Sequence, residues 1–78
     1  MFIVIELQVS EDGSIGNLVF NYNTFPEAQN KFYTICAFAS ISQIPIHSVI
    51  ILDRTGVLID RQSFIHSAEI ILEEEQEN

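Results

Sequence analysis

The sequence predicts an α+β domain of order ββαββ, with four strands in one antiparallel sheet, a helix over one face, and a C-terminal segment that is either helical or extended. Three observations carry this: period-two alternation through residues 2–22, a change to helical spacing after Thr24, and a return of β-branched residues from Ile46. Residues 1–64 are expected to form a single domain, and residues 65–78 a C-terminal segment ending in an acidic tail.

Phe2 to Val9 alternates. Ile3, Ile5, Leu7 and Val9 make one wholly apolar face, while Phe2, Val4, Glu6 and Gln8 grade from apolar to polar on the other. Ser10 to Gly16 is a turn cluster with two glycines, and Asn17 to Tyr22 resumes the alternation, so the two runs predict an antiparallel hairpin. Thr24 followed three residues later by Glu27 is a capping box, and Pro26 is tolerated in the first turn because its missing N–H is not needed there.

A helix therefore starts after Thr24. Ala28, Phe32, Ile35 and Ala39 recur at helical spacing, with Phe25 and Cys36 beside them, and this stripe is expected to face the sheet. Tyr33, Ala37 and Ile41 lie away from that stripe and Phe38 lies on its flank, so the second half of the helix is apolar nearly all round. One sheet covers only one side of it. These four residues are accordingly the expected subunit interface.

Pro45 drives Ile44 to extended geometry and ends the helical region. Ile46 to Leu52 is then a central or near-central strand, Asp53 to Gly56 a turn, and Val57 to about Phe64 the fourth strand. IHSVIILD at residues 46–53 is echoed by IHSAEIILE at residues 65–73. The echo carries one extra residue, which in a strand would send each following side chain to the opposite face, so the copies are not equivalent strands. The second is read as the start of a C-terminal helix, capped by Ser63 or Ser67, with Phe64, Ile65, Ala68, Ile71 and Leu72 on one side. Its acidic end opposes the helix dipole, which keeps the extended alternative open.

At 78 residues the chain is near the size at which one core contributes only about 3 to 5 kcal/mol. Cys36 is the only cysteine, so no intrachain disulfide forms, and its place in an apolar stripe reads as a small core residue. Apolar residues make up 47% of the chain, which leaves oligomerisation as the remaining support. A homo-oligomer, dimer or larger, is expected. The N-terminal residues lack the features of a signal peptide and no apolar run has membrane-spanning length, so a cytoplasmic protein without membrane contact is expected.

The net charge of −8, with only Lys31, Arg54 and Arg61 as cations, speaks against direct nucleic-acid binding. Glu73, Glu74, Glu75 and Glu77 sit in the tail, which reads as solubilising and makes DNA mimicry a minor option. No nucleophile elbow, phosphate loop, HExxH or CxxC occurs. A Ser-His-acid set could draw on Ser48 or Ser67, His47 or His66, and Asp53 or Asp60. Adjacent Ser and His in a strand point to opposite faces, so no catalytic residue is assigned. No metal site or cofactor is expected. Of the two histidines, only His47 sits on a rigid strand as a modest binding candidate.

The spaced pattern of ELQ near the start, EAQNKFY opening the helix, and PIHSVIILDRTGVLI resembles a group of short, uncharacterised acidic proteins of anaerobic gut bacteria, their prophages and phages. The resemblance covers about residues 2 to 64, with Ile65 to Asn78 an extension. It implies a mobile-element accessory protein and transfers no catalytic residues. Together these readings predict a non-enzymatic, homo-oligomeric interaction module that binds a host or viral protein, for instance as an inhibitor. One alternative is an anti-defence protein sequestering a nucleotide signal, with Tyr22 or Tyr33 stacking a base and Lys31, His47, Arg54 and Arg61 meeting phosphates. Another is a minor virion component.

Overall fold

A computed structural model describes residues 1–66 of the chain. It contains β1 (Phe2–Val9), β2 (Ile15–Tyr22), α1 (Phe25–Ile41), β3 (Ile46–Asp53) and β4 (Leu58–Ile65). The four strands form one antiparallel sheet with α1 packed on one face, as the sequence predicts, and their order is β2-β1-β3-β4. The IHSVIILD strand is central. Residues 67–78, including the expected helical continuation, lie outside the described residues.

Each hairpin closes through a turn that its sequence dictates. Asp12 accepts hydrogen bonds from the Ser14 backbone N–H at 2.9 Å and hydroxyl at 2.7 Å, and Gly13 takes φ +86°, a region where a side chain would be strained. In the second hairpin Asp53 accepts from the Thr55 hydroxyl at 2.6 Å, the Thr55 N–H at 2.8 Å and the Val57 N–H at 3.0 Å, with Gly56 at φ +89°. The second strand starts two residues earlier than the alternation suggested, at Ile15. β4 carries one extra residue: Asp60 opposes Ile51 and Leu58 opposes Leu52, which leaves Ile59 as a bulge.

The helix begins as the capping box requires, with a variation. The Glu27 N–H donates to Thr24 Oγ1 at 3.4 Å, but the Glu27 carboxylate takes the Thr24 hydroxyl proton at 2.8 Å rather than the cap's backbone N–H. Ala28, Phe32, Ile35 and Ala39 are its buried positions, the stripe expected to face the sheet. Ala28, Phe32 and Ile35 close on Val4, Val49 and Ile51 in the core, with Phe2, Phe20, Tyr22, Phe25 and Cys36 packed at its edge.

The side of β1 under the helix is the mixed one. Phe2, Val4, Glu6 and Gln8 share the helix-covered face with His47, Val49, Ile51 and Asp53 of β3, while the wholly apolar Ile3, Ile5, Leu7 and Val9 lie on the other face. The side of the sheet taken by the crossover and the register of β1 together decide this. β2 and β3 both run antiparallel to β1 and so are parallel to each other, and β2-α1-β3 is a crossover above β1. Such crossovers are right-handed in nearly all proteins, which leaves one face for the helix whatever the apolarity of the other. Among the described residues, the other, more apolar face therefore has no element over it.

Candidate functional site

Cross-strand register defines the uncovered face as four rows. They are Asn21, Ile3, Leu52 and Leu58; Val19, Ile5, Ile50 and Arg61; Asn17, Leu7, Ser48 and Ser63; and Ile15, Val9, Ile46 and Ile65. Eleven of these 16 positions are apolar, and Arg61 is the one charge. The two central strands contribute a single polar side chain, Ser48, whereas half of the edge-strand positions are polar. No described element lies over this surface. Sequence reading found the apolar face of β1 without deciding which face of the sheet the helix covers.

A second apolar surface lies on the far side of the molecule. Tyr33, Phe38 and Ile41 are 56%, 66% and 80% exposed, and Ala37 is exposed between them. The sequence placed them away from the sheet, and the structure does too. The helix patch belongs to one element and is interrupted by Asn30, Thr34 and Ser40. The sheet face is the larger of the two.

His47 is the one buried polar residue of the described chain, 3% exposed, and sequence reasoning missed its partners. Its Nε2 lies 2.6 Å from Glu6 Oε2 and its Nδ1 3.0 Å from Ser42 Oγ. The Gln8 amide donates to the same Glu6 oxygen at 3.1 Å. An ionised carboxylate only accepts, so Nε2 carries a hydrogen, and in the neutral ring Nδ1 accepts from the Ser42 hydroxyl. No buried side-chain polar atom among the described residues is left without a partner.

The connectivity is Ser-His-carboxylate, though not the set composed from the sequence. Ser48 falls on the opposite face from His47, Asp53 and Asp60 are engaged elsewhere, and Ser67 lies outside the described residues. Ser42 is the C-cap of α1, and its oxygen lies 3.3 Å from the Ala39 carbonyl. A hydroxyl at the negative end of a helix is badly placed for acyl transfer, which needs donors aimed at a developing oxyanion. Burial and satisfied hydrogen bonds describe a structural polar chain.

The echoed Ile-His-Ser stretches meet in space. Ile46 pairs with Ile65 in the β3–β4 ladder, the His66 N–H donates to the Pro45 carbonyl at 2.7 Å, and His66 Nε2 donates to the Ala39 carbonyl at 2.8 Å. Ser63 is therefore a strand residue and not a helix cap, and Phe64 and Ile65 end β4 instead of opening a helix. His66 adds a side-chain donor at the end of α1, whose last turn has no basic residue and whose Ala39 carbonyl also accepts from the Ser42 N–H at 3.3 Å. Ligation is not built into the arrangement: no group of three or more His, Cys, Asp or Glu among the described residues is placed to hold a metal.

The residues expected to hold a nucleotide are dispersed within the chain. Lys31 Nζ lies 4.2 Å from the Phe20 ring centroid in a cation–π contact, Tyr22 is half-buried at the core edge, and His47 is engaged beneath the helix. Arg54 projects from the β3–β4 turn, Arg61 belongs to the open sheet face, and Tyr33 to the outer helix face. The hollow near Phe25, Tyr33 and Ile59, about 80 Å³, is smaller than the roughly 300 Å³ at which small-ligand pockets begin, and the larger depressions, about 540 Å³ along Pro26, Asn30, Tyr33 and Ala37 and about 480 Å³ beside Asp12 and Pro45, are shallow open surface lined by none of Lys31, Arg54 and Arg61. Cys36 is half-buried at the core edge, where burial, and secondarily the charge of Asp60, push its thiol up from the ordinary cysteine range. No helix among the described residues is long and apolar enough to cross a membrane. Compared with known proteins, the chain matches no family model, no curated protein and no solved structure.

Proposed function

We propose that this chain is a non-enzymatic interaction module that self-associates and offers an apolar helix surface to another protein. The observation that carries the reading is the pair of uncovered apolar surfaces on opposite sides of one small domain. A chain with only seven buried hydrophobic side chains among its described residues, and no disulfide, gains from a cover that is always present. A copy of itself meets that condition.

The outer helix face, Tyr33, Ala37, Phe38 and Ile41, is then left for a partner. The net charge of −8 favours a partner that is apolar at the centre of its contact and basic at the rim. A host-cell protein is the partner class that fits the resemblance to mobile-element accessory proteins, with inhibition of that protein as the outcome. The Ser42-His47-Glu6 chain, built on a buried imidazole, supports the non-enzymatic reading, because its hydroxyl is spent within the fold.

Two measurements test this. Light scattering at micromolar concentration is expected to give at least twice the 8.9 kDa chain mass. Affinity capture from host lysate is expected to retain a protein that a Phe38→Glu, Ile41→Glu variant no longer retains. A monomer that captures the same proteins with and without these substitutions would remove the proposal.

A further inference from the structure

The surface that holds two copies together is where the sheet differs most from an ordinary half-solvated sheet. Antiparallel sheets with one open face usually show that face to water as polar side chains. Here the central strands present Ile3, Ile5, Leu7, Val9, Ile46, Ile50 and Leu52, in a chain whose charged residues are 18% of the total. Asn17, Asn21, Arg61 and Ser63 stand on the two edge strands. An apolar centre with a polar rim is the anatomy of a protein interface, not of a solvated sheet.

We propose that the occupant is a second copy of this chain, packed sheet face to sheet face, with β2 of each copy over β4 of the other. This rests on the self-association proposed above and assigns it to the sheet instead of the helix. Size fits. Four strands of eight residues, at about 3.3 Å per residue and about 4.8 Å between strands, give a face of about 500 Å² in projection. Two such faces reach the roughly 1,000 Å² that a specific interface needs, before side-chain relief is added.

Self-complementarity fits as well. A twofold axis along the strands lays β1 of one copy over β3 of the other, so Ile5 meets Ile50 and the apolar centres coincide. The same axis carries Arg61 to the Asn17 and Asn21 edge of the second copy, whose amide oxygens accept from a guanidinium. An axis across the strands would lay β4 over β4, set each Arg61 opposite Ser63 with the other Arg61 as its diagonal neighbour, and leave it away from the Asn17 and Asn21 amides. Charge thus selects one of the two twofold arrangements.

The test uses the full chain, mixed from isotope-labelled and unlabelled halves, with nuclear Overhauser contacts filtered for those between molecules. Expected are a particle of twice the chain mass, contacts between Ile5 and Ile50 methyls, and contacts from Val19 methyls to the Arg61 side chain. Ile5→Lys is expected to give a monomer with an unchanged far-ultraviolet spectrum, and Phe38→Glu to leave the dimer intact. If Ile5→Lys does not fold, the wild-type contacts decide alone. Intermolecular contacts at Tyr33, Phe38 and Ile41 would overturn the sheet assignment while leaving self-association standing, and contacts between the two β4 strands would overturn the arrangement. A wild-type monomer would overturn the sheet-face dimer and the self-association it rests on, including one in which Ile70, Ile71 and Leu72 of the same chain show contacts to the sheet face, while the partner reading of the helix face is decided by the capture experiment.

Discussion

His47 Nε2 lies 2.6 Å from Oε2 of Glu6, a carboxylate 41 residues earlier in the chain and on the neighbouring strand. His47 pairs directly with Gln8, so Glu6 is its diagonal neighbour on the helix-covered face. The pair lies where α1 ends, with Ser42 completing the chain on the other ring nitrogen. Its effect on stability is measurable. Glu6→Ala strips a buried donor of its acceptor and is expected to cost about 1 to 3 kcal/mol, read as a lower urea midpoint at unchanged slope. Ser42→Ala is expected to cost about 0.5 to 1.5 kcal/mol, since the hydroxyl is the neutral partner. A Glu6→Ala midpoint equal to that of the wild type would show that the carboxylate does not hold His47.

Adjacent aromatic residues of α1 should behave oppositely. Phe32 is 2% exposed at the centre of the core, and its ring meets the Tyr33 ring edge-on at 5.5 Å between centroids. Phe32→Ala is expected to cost about 3 to 5 kcal/mol, as much as the whole stability of a domain this size, and so to abolish the folded circular dichroism spectrum. Tyr33→Ala should stay within about 0.5 kcal/mol of wild type as an exposed substitution. Equal losses at the two positions would contradict the assignment of the buried stripe.

The β3–β4 turn predicts an acid-side dependence. Hydrogen bonds from the Thr55 hydroxyl, the Val57 N–H and the Thr55 N–H hold the Asp53 carboxyl below the ordinary aspartate range. A depressed folded value means that the folded state binds the proton less readily than the unfolded chain does. The contribution is therefore fully present above the ordinary aspartate value of about 4 and is lost as pH falls through the lower folded value. Asp12, held down by Ser14, acts in the same direction. Carboxyl carbon titration should place both midpoints below the unfolded value, and Asp53→Asn should flatten the fall in melting temperature below pH 4. An Asp53 midpoint at or above the ordinary value would mean that the turn bonds do not persist in solution.

Cys36 should be a sluggish thiol. Burial raises it above the ordinary cysteine range, which lowers its thiolate fraction at neutral pH, and nucleophilicity resides in the thiolate. Reaction with a chromogenic disulfide at pH 7.5 is expected to be slower in the native chain than in urea. A native rate matching or exceeding the unfolded rate would mark the residue as a reactive cysteine instead of a packing one.

Much of the fold was legible because its signals are local. Thr24 with Glu27 and Pro26 fixes where the helix starts, Ala28 through Ala39 marks its buried stripe, and the Asp-containing turns with Gly13 and Gly56 close the hairpins. Each of these rests on residues within a turn or two of each other. The candidate surfaces were only half legible. Tyr33, Ala37, Phe38 and Ile41 fall outside the helix-buried stripe by spacing alone, but the open sheet face needs to be known from both sides before it can be recognised as uncovered.

By itself, the sequence determined the four strands, the helix and its register, since alternation, capping and turn chemistry act between near neighbours. Only the tertiary structure decided that β3 lies against β1, that the helix covers the mixed face of β1, and that Glu6, Ser42 and His47 meet. Those outcomes follow from long-range strand pairing and from the handedness of the β2-α1-β3 crossover, neither of which leaves a mark on the period of side chains along one strand. Among the described residues no element covers Ile3, Ile5, Leu7 and Val9, so the wholly apolar side of β1 lies on the open face of the sheet.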